Sequence, residues 1–195
     1  MLYWSGHQAS GCAASSASTR RRRASCQPPT GCGVSTSSTS APKAVNRAFA
    51  KGMIPHHRQA VKMADLAPSR AGSAEVKKLA DEIKKAQDPE IKTLSGWLTT
   101  WGEQVPAEGA MDHSVHGAGS GMMTPEEMDK LKASSGKAFD TAFMKMMIKH
   151  HEGAVAMAKT EKADGSFPEA KTMADAIITS QTAEIARMND LLDKN

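Results

Sequence analysis

Two pairs of adjacent histidines stand inside otherwise apolar stretches of this chain. His56 and His57 lie in "FAKGMIPHHRQAVKMA", and His150 and His151 lie in "FMKMMIKHHEGAVAMA". An imidazole ring can donate one hydrogen bond and accept another, or it can bind a transition metal through a ring lone pair. These pairs are therefore suited either to metal binding or to a buried hydrogen-bond network.

A second kind of polar pair interrupts two further apolar stretches. At about 100° per residue of a helix, Gln87 and Glu90 fall in the middle of one apolar stripe, and Gln181 and Glu184 fall in the middle of another. Buried polar groups without partners cost several kcal/mol, so these side chains need each other, water or an ion. The residues leave two readings level: a structural polar network, or a metal site on facing helices.

A Gly-rich stretch, "GEQVPAEGAMDHSVHGAGSGMM", separates the two histidine-containing regions and carries its own methionines and histidines. Thioether sulfur selects soft cations such as Cu(I), and imidazole suits Cu(II) or Zn(II). Metal contact is the favoured reading for this stretch, whereas packing is favoured for the methionines of the apolar stripes. The candidate metal ligands are His56, His57, His150, His151, Glu90, Glu184, Met53, Met63, Met147, Met157, Met111, His113, His116, Met122 and Met123.

The elements that must position these residues occur twice, at an offset of 94 residues. Each member of the first histidine pair falls on its counterpart in the second, and the register continues without a gap through the Gln and Glu positions. An internal duplication is the simplest cause. We therefore expect the two copies to share one local fold.

Each copy predicts two helices joined by a short loop, "APSRAGS" in the first and "KADGSFP" in the second. The predicted helices span 44–66, 74–101, 138–162 and 168–193. Two helical hairpins of this length bury their apolar faces by packing together, so the fold class is all-α, a four-helix bundle built from two tandem helical-hairpin repeats. Thr124 as N-cap, Pro125 and Glu127 predict a short extra helix in the connecting segment. Asp140 is expected near a helix start, where its charge suits the helix dipole.

The predicted organisation is a leader followed by one domain. The segments are a disordered Ser/Gly/Arg-rich leader 1–43 and a bundle domain 44–195, the latter divided into repeat one 44–101, a Met/His linker with the short helix 102–136, and repeat two 137–195. The leader holds all three cysteines, and it lacks the apolar core of an export signal. From residue 46 onward acidic and basic residues nearly balance, so we expect no nucleic-acid partner. No run is apolar enough to span a bilayer, and the oligomeric state stays open.

The chain resembles the bacterial domain-of-unknown-function 305 family. The resemblance covers roughly residues 44–194 and depends on "MIPHH" and "MIKHH", "HHEGAVAMA", "AQDPEI" and "GMMTPEEMDKL" in order. It implies a ferritin-like four-helix bundle in a secreted or envelope-associated protein, with His56, His57, His150 and His151 as the family's signature. Some members are linked to periplasmic copper binding and tolerance.

The favoured function is metal binding in the cell envelope, with copper as the metal, zinc or iron as alternatives, and sequestration or tolerance as the role. The first alternative is a non-catalytic helical module whose polar core holds no metal. The second is a ferritin-like metal oxidoreductase, which is disfavoured because the chain contains no Glu-x-x-His sequence. No nucleophile-base arrangement or phosphate loop is evident, so we predict no catalytic residues, and the sequence leaves enzyme activity open.

Overall fold

The structure is a computed structural model that describes residues 43–108 and 120–194. The predicted leader 1–43 lies outside these ranges except for its last residue. Six helices occur in the described part: α1 Ala44–Ala64, α2 Ala67–Arg70, α3 Ala74–Thr100, α4 Pro125–Ala133, α5 Gly136–Asp164 and α6 Pro168–Asp193. Over the same residues, the β structure consists of one isolated bridge between Ala71 and Gly136. The all-α prediction is confirmed.

Local sequence signals explain where α3 and α4 begin. The Ser73 hydroxyl accepts a hydrogen bond from the Val76 amide at the start of α3. Thr124 and Glu127 form the predicted capping box of α4, with hydrogen bonds of 3.2 Å and 2.8 Å. The short extra helix in the connecting segment is therefore confirmed.

The prediction of a plain loop at "APSRAGS" is wrong in part. The first residues of that stretch form α2, with Pro68 in its first turn, where a missing amide proton costs no helical hydrogen bond. In the second copy, α5 continues through Asp164, so the first residues of "KADGSFP" are also helical.

The four long helices pack as two hairpins. Helix α1 packs on α3, α5 packs on α6, and α1 and α5 join the two hairpins. This arrangement is the predicted four-helix bundle. It is compatible with the ferritin-like description, which stays a prediction together with the domain bounds and the duplication.

The bundle interior contains two apolar clusters. One cluster takes the C-terminal half of α1, the N-terminal halves of α3 and α5, and the end of α6, and it includes Met63, Met144, Met147 and Met188. The other takes the opposite halves of the same helices and includes Met53. On each long helix the two clusters are separated by a few residues, and the predicted polar side chains occupy that interval.

Asp140 does not serve the start of its own helix as predicted. Its carboxylate accepts hydrogen bonds from the Gly72 and Ser73 amides at 3.0 Å and 2.8 Å, so it caps the entrance to α3 in the other hairpin. At the opposite corner, the Asn46 Oδ1 atom of α1 accepts from the Ser166 hydroxyl at 3.1 Å, in the loop before α6. The prediction considered α5 alone, whereas the tertiary packing brings another helix start to this carboxylate.

Candidate metal centre

A layer of polar side chains crosses the middle of the bundle between the two apolar clusters. We call this set the polar layer; its members are His56, His57, Gln87, Glu90, His150, His151, Gln181 and Glu184. The four histidines are fully buried and the two glutamines nearly so. The two glutamate side chains lie at the edge of the layer, about one-fifth exposed. The predicted convergence of these residues is thus observed, with the carboxylates less deeply buried than the imidazoles.

Each hairpin contains one histidine–glutamate pair. The Nε2 atom of His57 lies 2.7 Å from Glu90 Oε2, and the Nε2 atom of His151 lies 2.6 Å from Glu184 Oε2. A carboxylate only accepts, so each ring donates its Nε2–H, and when the ring is neutral its lone pair is on Nδ1. Both Nδ1 atoms are buried and have no hydrogen-bond partner among the described residues. In the neutral ring of each pair, the lone pair therefore faces the bundle interior.

The other two histidines meet where α1 and α5 pack together. The ring centroids of His56 and His150 are 3.7 Å apart, with 37° between the ring planes. His56 Nε2 donates to the Ser120 carbonyl oxygen at 2.9 Å, which leaves Nδ1 as its lone-pair nitrogen. The His150 ring interacts weakly with the His56 backbone, and neither of its nitrogens makes a hydrogen bond of normal geometry within the described part of the chain. The two central rings therefore differ in how firmly they are held.

Burial keeps the central histidines neutral. It lowers the pKa of His56 to about 3, and the nearby His57 ring adds to this effect. Burial also lowers the pKa of His150 well below its usual value, with His56 as the next cause. A neutral imidazole has the lone pair that a metal ion requires.

The chain segment Ser120–Met123, which we call the strap, lies against the two central helices, α1 and α5. The side-chain amide of Gln59 donates to the Met123 carbonyl at 2.8 Å and accepts from the Met123 amide at 2.7 Å. Met123 is nearly fully buried in the apolar cluster that holds Met63 and Met147. Met123 therefore packs in the core and not in an open loop, and its role as a metal ligand stays a prediction.

The remaining candidate ligands fall into three groups. Met53 and Met147 precede the histidine pairs by one helical turn, on opposite faces of the polar layer. Met63 is buried further along α1, and Met157 is partly buried beside Gly52. Met122 in the strap is partly buried, whereas Met111, His113 and His116 lie outside the described residues.

The polar layer is not a preformed coordination sphere. Across residues 43–108 and 120–194, no three or more His, Cys, Asp or Glu side chains converge in a geometry that could hold a metal ion. The rings of His56 and His150 are tilted by 37° with their centroids 3.7 Å apart, so each ring faces the other instead of pointing an in-plane lone pair at it. A shared ion therefore requires at least one ring to turn, and His150 is the less firmly held, with only a weak contact to the His56 backbone. The donor set itself, buried imidazoles with thioethers on the same helices, fits a soft or borderline metal.

Several contacting residues escaped the sequence analysis. Ser120 was overlooked because a backbone carbonyl leaves no signature in a Gly-rich stretch, and Gln59 because it does not belong to the apolar stripe of α1. One signal was present: at the offset of 94 residues, Gln59 corresponds to Gly153, and both touch the strap. A change from glutamine to glycine at equivalent positions indicates that one segment contacts both helices there.

Comparison with solved structures gives close matches to this fold. A DUF305 protein from Streptomyces coelicolor, described as secreted, is 31% identical with a TM-score of 0.70, over 77% of this chain and 93% of its own. A DUF305 fragment from Deinococcus radiodurans is 26% identical with a TM-score of 0.72, over 80% and 100%. CopM in its Cu(II)-bound form is 36% identical with a TM-score of 0.67, over 76% and 96%.

Comparison with curated proteins finds no significant match. None of the described helices is long and apolar enough to cross a membrane. The family profile described as "Domain of unknown function (DUF305)" matches residues 46–192, which is most of the chain. This chain therefore belongs to the DUF305 family.

Proposed function

We propose that this protein binds copper ions in its polar layer and sequesters them in the cell envelope. The observation that supports this function best is the repeated histidine–glutamate pair. Metal-ligating histidines commonly donate their second ring nitrogen to a carboxylate, which fixes the tautomer and raises the basicity of the ligand. His57 and His151 are held in this way, with Nδ1 left over in the interior.

The surroundings of the lone pairs favour copper. Neutral imidazoles suit several divalent metals, but thioethers one turn away on the same helices add a preference for Cu(I). Met53 and Met147 occupy these positions, and both are fully buried. The same donors would bind Ag(I), whose preference for sulfur resembles that of Cu(I).

The comparison with CopM supports the same choice of metal. CopM has been solved in Cu(II)-bound, Cu(I)-bound and Ag-bound forms, the second of these at 35% identity to this chain. A relative described as secreted supports an envelope or extracellular location. Copper in this protein is cargo, and the residues of the layer act by holding and orienting it.

The test is a competition titration of the full-length, metal-free chain with Cu(I) against a chelator, repeated with Zn(II). The informative variant is His57→Gln combined with His151→Gln. A glutamine amide places a donor near the former Nε2 and removes Nδ1, so the bonds to Glu90 and Glu184 can persist while both lone pairs are lost. We expect copper affinity to fall at least tenfold in this variant, since each lost ligand removes one coordinate bond. Unchanged affinity would contradict a site in the polar layer.

A structural polar layer without metal is the competing function. It is favoured by the lack of a preformed three-ligand group among the described residues and by the two satisfied histidine–glutamate bonds. On this alternative, saturating copper leaves the thermal unfolding midpoint unchanged, because only a ligand that binds the native state raises it. A third variant with Met111, His113, His116 and Met122 changed to leucine or glutamine assigns any residual binding to the linker.

A further inference from the structure

We infer that the strap is a positioning element for His56. Its Ser120 carbonyl sets the tautomer of that ring and so prepares Nδ1 for the metal, as the two glutamates do for His57 and His151. The expected effect of the strap on copper affinity rests on the proposed copper function. Its effect on the His56 tautomer concerns the metal-free protein alone. Nothing in the duplicated part of the sequence supplies such a partner, because the strap belongs to the segment between the two copies.

The strap is fixed from both central helices. On α1, two hydrogen bonds join Gln59 to the Met123 backbone. On α5, the backbone passes so close to Gly153 that a Cβ atom there would lie 1.9 Å from the Ser120 oxygen. Gly121 has a φ of +70°, and a Cβ atom on it would lie 2.3 Å from the Lys149 oxygen. Glycine is therefore required at both positions for the strap to reach His56.

The hydrogen bond that results is chemically selective. A carbonyl oxygen only accepts, so the His56 ring must carry its proton on Nε2 when the strap is seated. An unheld imidazole exchanges between two tautomers and turns about its side-chain bonds. His150, the equivalent of His56 at the 94-residue offset, makes only a weak contact with the His56 backbone and is the ring freer to turn. The strap thus gives the layer three oriented imidazoles and one adaptable one.

The first variant displaces the strap without altering any polar side chain. Gly153→Ala forces the Ser120 carbonyl away, while alanine strengthens α5 because its helix propensity exceeds that of glycine by roughly 1 kcal/mol. The matched control is Gly52→Ala in α1, where a Cβ atom would meet only Met157 Sδ at an ordinary 3.5 Å. Gln59→Ala releases the strap from the α1 side and serves as the second variant if Gly153→Ala fails to fold.

The first readout is the tautomer of each histidine in the metal-free chain, measured from ring ¹⁵N shifts and couplings. In the unmodified protein and in Gly52→Ala we expect His56 to carry its proton on Nε2. In Gly153→Ala we expect a mixture of tautomers at His56, with His57 and His151 unchanged. A proton on Nδ1 of His56 in the unmodified protein, or no change in the strap variants, would overturn the inference.

The second readout is Cu(I) affinity under chelator competition. Loss of a partner that orients a metal ligand typically costs 10–100-fold in affinity, so we expect at least a tenfold loss in Gly153→Ala and none in Gly52→Ala. A changed tautomer with unchanged copper affinity would overturn the positioning role. If the unmodified chain binds no copper, the proposed function fails, and the tautomer measurement still decides whether the strap sets His56.

Discussion

The two halves of the bundle make the same contacts within each hairpin and different contacts with the segment that joins them. His57 and Glu90 are 33 residues apart, as are His151 and Glu184, and both pairs form a short hydrogen bond. His56 and His150 also correspond, yet Ser120 holds the first by a hydrogen bond, whereas the second makes only a weak contact with the His56 backbone. Contacts internal to a hairpin recur, whereas the strap exists once and serves one ring.

The difference shows how a near-symmetric layer can acquire unequal positions. Gln59 and Gly153 occupy equivalent positions in α1 and α5, and the strap lies against both. One position holds the strap by hydrogen bonds, and the other makes room for it. Two equal residues could not do both, so a divergence at this pair is what lets a single strap cross the junction between the helices.

The ends of the hairpins show a second inequality. The Asp140 carboxylate of α5 accepts two backbone hydrogen bonds at the start of α3. The equivalent residue of α1, Asn46, accepts from the loop before α6 and also donates its Nδ2 to Glu161. Each hairpin therefore accepts hydrogen bonds from the other at one end. The acceptor is the Asp140 carboxylate at one corner, and the neutral amide of Asn46 beside the buried carboxyl of Glu161 at the other.

The largest effect that we predict is the loss of stability of the metal-free protein in acid. His56 and His150 stay neutral in the folded state, whereas in the unfolded chain they take a proton near pH 6.5. Below that pH, unfolding binds a proton at each ring, so the free energy of unfolding falls. For His56 the loss is about 3 kcal/mol between pH 6.5 and 4, at roughly 1.4 kcal/mol per pH unit, and it would stop near the folded pKa of about 3.

Denaturant unfolding at several pH values measures this slope. His56→Gln and His150→Gln should each reduce the slope of the unfolding free energy against pH by the amount due to one bound proton, because glutamine does not titrate over this range. The two variants sharpen the comparison between the halves because burial is the chief cause of the lowered pKa in both. A slope unaffected by either change would mean that the rings are charged, or hydrated, in the folded protein.

The next effect concerns the histidine–glutamate pairs. Glu90→Ala and Glu184→Ala each leave a buried imidazole N–H without its acceptor, so we expect each to lower the free energy of unfolding by about 2 kcal/mol. Glu90→Gln and Glu184→Gln are the controls, because an amide oxygen still accepts from Nε2 and the cost should be smaller. Equal losses in the two halves are expected; a much larger loss at one pair would show that the repeated geometry conceals unequal energetics.

Exchanging the two corner residues should break the comparison at the hairpin ends. Asp140→Asn turns one of two acceptors into a donor facing a backbone N–H, and we expect a loss of about 1–2 kcal/mol. Asn46→Asp removes the donor to Glu161 and sets two carboxyl groups against each other, with a similar loss at neutral pH. The second loss should shrink in acid, when Glu161 binds a proton, and the first should not. Thermal unfolding at pH 7 and pH 5 separates the two responses.

The histidine and glutamate positions could be predicted from the sequence because helix periodicity acts locally. Apolar residues on both sides fix which way His57 and Glu90 face, and the 94-residue offset gives the same answer twice. The capping box at Thr124 was predictable for the same reason, since it is complete within four residues. The family resemblance added the copper expectation, which the residues alone left level with a structural network.

The contacts made by Ser120, Gln59 and Asp140 could not be predicted in this way. Ser120 and His56 are 64 residues apart, and their hydrogen bond depends on how the connecting segment returns to the bundle. Asp140 is bonded to backbone amides 67 and 68 residues away, at a corner that exists only once α5 has packed beside α3. Periodicity gives the direction of a side chain on its helix and carries no information on which distant backbone it meets.

The smallest effect that we predict is a gain in stability from Glu161→Gln. Glu161 is fully buried, its Oε2 atom has no hydrogen-bond partner among the described residues, and burial raises its pKa while the Asn46 amide and the charge of Lys171 oppose the shift. Because the folded protein holds this proton more tightly than the unfolded chain, ionisation at neutral pH costs stability, and that cost disappears as the pH falls below the unfolded pKa. Glutamine keeps an oxygen for Asn46 and cannot ionise, so we expect a gain of about 1 kcal/mol at pH 7 that declines in acid. The control is Glu152→Gln on the exposed face of the same helix, where the change should stay within about 0.5 kcal/mol. A loss of stability for Glu161→Gln at pH 7 would mean that Asn46 and Lys171 stabilise the charged form, and the corner at Asn46 would then resemble the charged one at Asp140.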